Sequence, residues 1–220
     1  MYRARPLAPP LPGTLRARLR TRLWPVATFT IILGTAGRKT LQRTLRSITP
    51  QLEPGDELMI VRDDSGDAGD TPRNEGMPRA AGTHLLFMDD DDVYVPDALA
   101  KMRRFADENP GRIGIFRMEY TVGPKRWQVP ELRNRNVSTQ IFCVPNVPGK
   151  LGVWEHRGTV HGDYTFIAET ARLQGDPVFV DEVTVRVRPV RNPLKVLYIR
   201  ARYHARLGTR LRALRARLGR

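Results

Sequence analysis

Three short apolar runs constrain this chain more than any other feature. Thr28–Leu33, Glu57–Val61 and Leu85–Met88 are each four to six residues long and bounded by turn formers, the length and setting of buried strands. A helical pattern follows each run. Leu41, Leu45 and Ile48 lie at helical spacing after the turn Gly34-Thr35-Ala36-Gly37, and Pro50 stops that helix. A short helix is expected from Arg73 to Ala81, and another from Pro96 through Leu99, Met102 and Phe105 to Asn109-Pro110-Gly111. Strands alternating with helices predict an α/β fold with a mostly parallel sheet and helices on both faces. Ligands of such sheets sit beyond the carboxyl ends of the strands. Both acid clusters of the chain fall there: Asp63-Asp64-Ser65-Gly66-Asp67 after the second run, and Asp89-Asp90-Asp91-Asp92 after the third.

Beyond residue 112 the pattern loosens. Strands are expected over Ile113–Met118 and Val137–Val144, a helix over Tyr164–Leu173, and two short closing strands at Val178–Val180 and Val183–Val187. A length of 220 residues suits one sizeable domain, expected over residues 26–190, between a leader at 1–25 and a helix at 191–220.

The formal charge of +14 suggests nucleic acid until its distribution is considered. Residues 1–24 carry six arginines and no acid, and residues 186–220 carry twelve basic residues and no acid. The body, 25–185, has 19 basic against 23 acidic residues and is mildly acidic. A groove-reading protein would carry its positive patch on the folded domain, so nucleic acid is disfavoured as a partner. In the tails, Leu15, Leu19 and Leu23, and Leu207, Leu211, Leu214 and Leu218, recur along one helical stripe among arginines. That pattern fits helices lying on an anionic membrane surface, or solvated helices with one seam against the domain. No apolar run reaches the roughly 20 residues of a spanning helix. The run Val26–Leu33 is too short and too β-branched for a secretory signal. A cytoplasmic protein, peripheral to the inner membrane face if the tails bind it, is the expectation. The single cysteine, Cys143, lies in an apolar stretch and reads as a core residue.

Four adjacent carboxylates repel one another unless a cation sits among them. Side chains two apart in extended backbone point the same way, so Asp89 and Asp91 can converge on one ion. Oxygen ligands of this kind suit Mg²⁺ or Mn²⁺. The alternative is a solvated acidic turn ahead of the helix at Pro96.

The stretch from Arg73-Asn74-Glu75-Gly76 through Ala81-Gly82 to Phe87-Met88-Asp89-Asp90-Asp91-Asp92 resembles the Arg-Asn-x-Gly … Asp-x-Asp signature of family 2 glycosyltransferases. Phe29–Thr35, Leu58–Ser65 and Tyr94–Leu99 resemble the segments around it, and the likeness returns over 161–188. The resemblance implies a GT-A-type nucleotide-diphospho-sugar transferase fold and inverting transfer of a sugar, with a UDP-sugar as the expected donor. It implies donor-nucleotide contacts at Thr35, Asp64 (base), Arg73 and Asp90 (ribose), with Asp89 and Asp91 at the metal. The metal would bridge the diphosphate and neutralise charge on the leaving nucleotide. Asp163 takes the general-base position of an acidic pair whose other member is Gly162 here; its alternative is a helix N-cap. His161 is a candidate phosphate or metal contact. The Gln-x-x-Arg-Trp motif of processive synthases is missing around Arg126-Trp127, which favours transfer of a single sugar. The acceptor (glycan, lipid or protein) is left open. Two other classes remain: a sugar-phosphate nucleotidyltransferase, weakened by the faint glycine-rich loop Gly34–Lys39, and a non-catalytic basic-tailed adaptor.

Overall fold

The computed structural model describes residues 26–67, 69–155, 162–190 and 192–218, with only the backbone for Leu207 and residues 210–218. The leader with its leucine stripe and His161 lie outside the described residues. Seven strands form one sheet in the order β2-β1-β3-β6-β5-β7-β4. They are β1 (Phe29–Thr35), β2 (Glu57–Arg62), β3 (His84–Asp89), β4 (Val93–Tyr94), β5 (Gly114–Tyr120), β6 (Phe142–Pro145) and β7 (Val178–Val187). The helices are α1 (Leu41–Ile48), α2 (Asp70–Gly76), α3 (Ala98–Glu108), α4 (Gly162–Gln174) and α5 (Pro193–Leu218).

The long ladders, β2–β1, β1–β3 and β5–β7, are parallel. The ladders β3–β6, β6–β5 and β7–β4 are antiparallel and two residue pairs long. The mostly parallel α/β fold is therefore as expected. Because β6 runs against both β3 and β5, the carboxyl ends of β1, β2, β3, β5 and β7 and the amino end of β6 share one edge. Thr35, Asp63, Asp89–Asp92, Tyr120, Ser138–Gln140 and Arg188 are thereby gathered from six distant chain segments.

The family-like signature has mechanical reasons here. A Cβ on Gly76 would stand 2.7 Å from Ile32 Cγ2, and one on Gly82 only 2.4 Å from the Thr30 nitrogen, so α2 and the entry to β3 can press on β1 only with glycine at both points. Asn74 clamps the distant Trp154 backbone twice: Nδ2 donates to the carbonyl at 2.7 Å, and Oδ1 accepts from the amide at 3.0 Å. Trp154 in turn stacks on Phe166 of α4 with centroids 3.6 Å apart, and both rings meet Phe87 edge-on. Each buried aromatic side chain of this kind stabilises by about 1.5–3 kcal/mol relative to exposure. Cys143 is fully buried and its thiol pKa is pushed up to about 12 by desolvation, as befits a core residue.

Several local expectations are corrected. The helix expected over 73–81 begins three residues earlier, and Pro78 tightens its end into a 3₁₀ turn over Met77–Arg79. The two closing strands are one strand, because register shifts opposite Arg117 absorb Asp181-Glu182 and Arg117 pairs with Asp181 at 2.8 Å. The strand expected over 137–144 is a 3₁₀ turn at Thr139–Ile141 followed by β6.

His84, at the start of β3, is buried with Nε2 unpaired, and desolvation lowers its pKa from 6.5 to about 4 despite the opposing charge of Asp107. The unfolded chain therefore takes up the proton first, so stability falls as pH drops from 6.5 toward about 4. The loss from this group is about 3 kcal/mol. Urea unfolding at pH 6.5 and pH 4 should show a drop smaller by about that amount in His84→Gln; equal drops would show that His84 does not titrate in this way.

Candidate active site

Arg73 is the hub of the shared edge. Its guanidinium is buried, ion-paired with Asp89 at 2.7 Å and Asp70 at 3.9 Å, and lies 5.5 Å from the Trp154 ring centre. Burial disfavours the charged arginine, but Asp89, Asp163 and Asp70 outweigh it and raise the pKa above the ordinary value. Asp89 receives a second hydrogen bond from Gln140 Nε2. Desolvation drives the Asp89 pKa up against the pull of Arg73, and Asp163 and Asp91 add repulsion.

Asp89, Asp91 and Asp92 each offer an oxygen, and these oxygens lie within 4.8 Å of one another. The convergence comes from a turn rather than from extended backbone: the Asp92 amide donates to the Asp89 carbonyl at 3.3 Å, and Asp92 joins the pair expected from sequence. Asp92 is buried and its pKa is raised to about 7, chiefly by desolvation and then by Asp89. Arginines already neutralise part of this cluster. Arg188 Nε is 2.9 Å from Asp91, and Arg38 lies 3.1 Å from Asp90 and 3.2 Å from Asp91. A cluster of acids that draws guanidinium groups from two separate loops has the charge and the oxygen donors to suit a hard divalent cation.

Two clefts open on either side of Asp89. The first, about 430 Å³, is bounded by Gly34, Thr35, Asp63, Gly69, Arg73 and Asp90. It contains three of the four nucleotide positions expected from sequence, and Asp90 is locked there by a 2.6 Å hydrogen bond from Thr35 Oγ1. Asp64, the fourth, is not on its wall: its carboxylate is exposed and paired with Arg62 at 2.8 Å, while Asp63 faces the cleft. The second cleft, about 490 Å³, shares Asp89 and Arg188 with the first and reaches Ser138, Gln140, Arg126 and Ile199.

Asp163 stands in the first turn of α4, where its carboxylate accepts from Ser138 Oγ at 2.7 Å and from Thr139 Oγ1 at 3.0 Å and the Thr139 amide at 3.3 Å. These bonds bind α4 to the turn before β6. Desolvation alone would raise its pKa, but Arg73 and the Ser138 and Thr139 donors bring it below the usual carboxylate value. Ser138 lines the second cleft, so Asp163 lies one hydroxyl from that space. A Cβ on Gly162 would stand 3.5 Å from Asp70 Oδ1, so the buried Asp70 carboxylate occupies the neighbourhood of the missing acidic partner. The sequence reading singled out the Asp63–Asp67 cluster but not Asp63 itself, and missed Asp70, Asp92, Ser138, Thr139, Gln140, Arg38 and Arg188. Of those missed, only Asp92 lay inside a cluster already singled out.

Residues 70–154, which run from α2 through β3 and the acidic turn to β6, match the family model for glycosyl transferase family 2. Among solved structures, the chain is similar to S. aureus TarS 1-349, with 17% identity, a TM-score of 0.59, and coverage of 73% of this chain and 60% of that one. Similar too are TarS 1-349 in complex with UDP-GlcNAc (16% identity, TM-score 0.60, 75% and 59% covered) and with UDP (16%, 0.54, 73% and 60%). The chain thus spans about 60% of the length of these fragments. No curated protein matches it.

Proposed function

We propose that this chain transfers one sugar from a UDP-sugar to an acceptor hydroxyl with inversion at the anomeric carbon. The observation that carries the proposal is the position of Asp89 between two clefts, with Arg73 and Asp90 on one side and the Asp163–Ser138 pair on the other. The likeness to a fold that has been seen with UDP and UDP-GlcNAc supports this donor class. Thr35, Asp63, Arg73 and Asp90 would contact the nucleotide, and Asp64 would have to turn from Arg62 to join them.

Asp89, Asp91 and Asp92 would hold Mn²⁺ or Mg²⁺. Bound there, the cation would supply Lewis-acid neutralisation of the diphosphate. Arg38 and Arg188, released from Asp91, would be free to meet phosphate oxygens. The acceptor hydroxyl oxygen forms the bond to the anomeric carbon as the carbon–oxygen bond to the diphosphate breaks, its electron pair leaving on UDP. The hydroxyl proton passes to the Ser138 oxygen as Ser138 gives its own proton to Asp163. A carboxylate held ionised by Arg73 and three donors is a weak base, yet it is always in the acceptor form at neutral pH, and the attacking hydroxyl acidifies as its bond forms.

Asp163→Asn keeps the shape but disposes of the proton acceptor. Transfer should fall about 10²–10⁴-fold while UDP affinity stays near wild type; Tm should fall as well, because the amide replaces a charged acceptor of three hydrogen bonds. A transfer-competent variant, or a product with retained configuration, would remove Asp163 from the mechanism.

The long helix α5 supports a peripheral membrane role. Val196, Ile199 and Tyr203 are half-buried, whereas Leu194, Leu197 and Tyr198 are exposed among Lys195, Arg202 and Arg206. The side chains of the leucine stripe at 207, 211, 214 and 218 lie outside the described residues, so the membrane reading is proposed from the first turns of α5. Among the described residues no helix is apolar enough to cross a membrane. Binding to vesicles containing phosphatidylglycerol should weaken as salt rises and in Arg202→Glu/Arg206→Glu; indifference to both would leave α5 as ordinary structure.

A further inference from the structure

The second cleft has a chemical character of its own. Its floor is Asp89 and Asp92, and one end is polar, with Ser138 and Gln140. The remaining wall is different: Met118, Val122, Val187, Val190 and Ile199 present aliphatic surface, interrupted by Tyr120 and Thr121. Arg126 borders this wall. Arg126 is half-buried and lies 5.8 Å from the Tyr120 ring centre, and among the described residues no carboxylate is within ion-pair distance of it. Arg188, the other cation of the cleft, is already paired with Asp91. A partly desolvated guanidinium without a counter-charge favours an anionic ligand. The volume of about 490 Å³ is in the range that encloses a small organic ligand.

We propose that this cleft is the acceptor subsite and that the acceptor is an anionic amphiphile. Its aliphatic body lies along Val122, Val190 and Ile199, its acidic group meets Arg126, and its reacting hydroxyl reaches the Ser138 end. The proposal rests on the glycosyltransferase reading above and narrows its open half, the acceptor. It also gives α5 a second purpose: Ile199 lines the cleft, so the helix proposed to meet a lipid surface also walls the acceptor space.

The test uses the intact chain with UDP and Mn²⁺ and three probes followed by calorimetry: decyl phosphate kept monomeric, decanol, and inorganic phosphate. Decyl phosphate should bind, decanol about tenfold or more weakly, and inorganic phosphate should not displace it at equal concentration. Arg126→Ala and Ile199→Asp should each weaken decyl phosphate about tenfold or more while UDP binding is retained, which reports on folding and on the donor side independently. Absence of decyl phosphate binding to the wild type, equal binding of decanol, or undiminished binding by Arg126→Ala would overturn the proposal. If decyl phosphate behaves as expected but UDP does not bind the wild type, the donor reading fails and the amphiphile site stands. A vesicle arm separates the sources of the anion. Loss of phosphatidylglycerol-vesicle binding in Arg126→Ala places the ligand in a bilayer, and unchanged vesicle binding with weakened decyl phosphate binding places it in solution.

Discussion

The ion pair between the buried Arg73 and the half-buried Asp89 is the interaction on which the rest of the site depends. It ties the second helix to the end of the third strand, and it sets the charge on both sides of that strand. Asp70 and Asp163 lie in the same field, so one guanidinium faces three carboxylates. Removing Arg73 would leave three carboxylates facing one another with their shared counter-charge gone. The arrangement is costly to desolvate and would be a poor choice for stability alone. It makes sense as preparation for chemistry, since it fixes the strand-end acid and keeps the Asp163 carboxylate ionised.

Sheet topology supplies the second constraint. The short reversed strand Phe142–Pro145 lets the two parallel halves of the sheet present their carboxyl ends along one edge, and the 3₁₀ turn before it delivers Ser138, Thr139 and Gln140 to the same place. Gln140 reaches Asp89 while Ser138 and Thr139 reach Asp163. A single turn thus links the strand-end acid to the base candidate. The two clefts that result are unlike each other: one is bounded by glycines, a threonine and charged groups, while the other combines charged and polar groups with five aliphatic side chains.

Much of the first half was legible in the sequence because its signals are local. Strands one to three are apolar runs ended by glycine or aspartate, and the acid cluster follows the third directly. The Arg73, Gly76 and Gly82 positions carried the family resemblance because each meets a contact that few other residues could make. What stayed hidden was non-local. Ser138 and Gln140 are unremarkable polar residues until β6 turns them toward Asp89. Arg188 gives no hint that it lies beside an aspartate 97 positions earlier. Asp63 and Asp64 are adjacent and identical in type, and only the backbone path after β2 decides which faces the cleft. The continuous seventh strand was read as two because Asp181-Glu182 interrupts its apolar pattern, and a register shift opposite Arg117 absorbs that interruption.

The central claim is that the acidic turn at the end of the third strand gathers a divalent cation and, with Arg73, a nucleotide diphosphate. Calorimetric titration of UDP tests it most directly, in Mn²⁺ and again in excess chelator, on the wild type and on Asp91→Asn. The account predicts that affinity in Mn²⁺ falls at least about tenfold on chelation, and that Asp91→Asn binds UDP as weakly as the chelated wild type while melting at a similar temperature. Equal affinity with and without the metal, in a protein that still binds UDP, would contradict it.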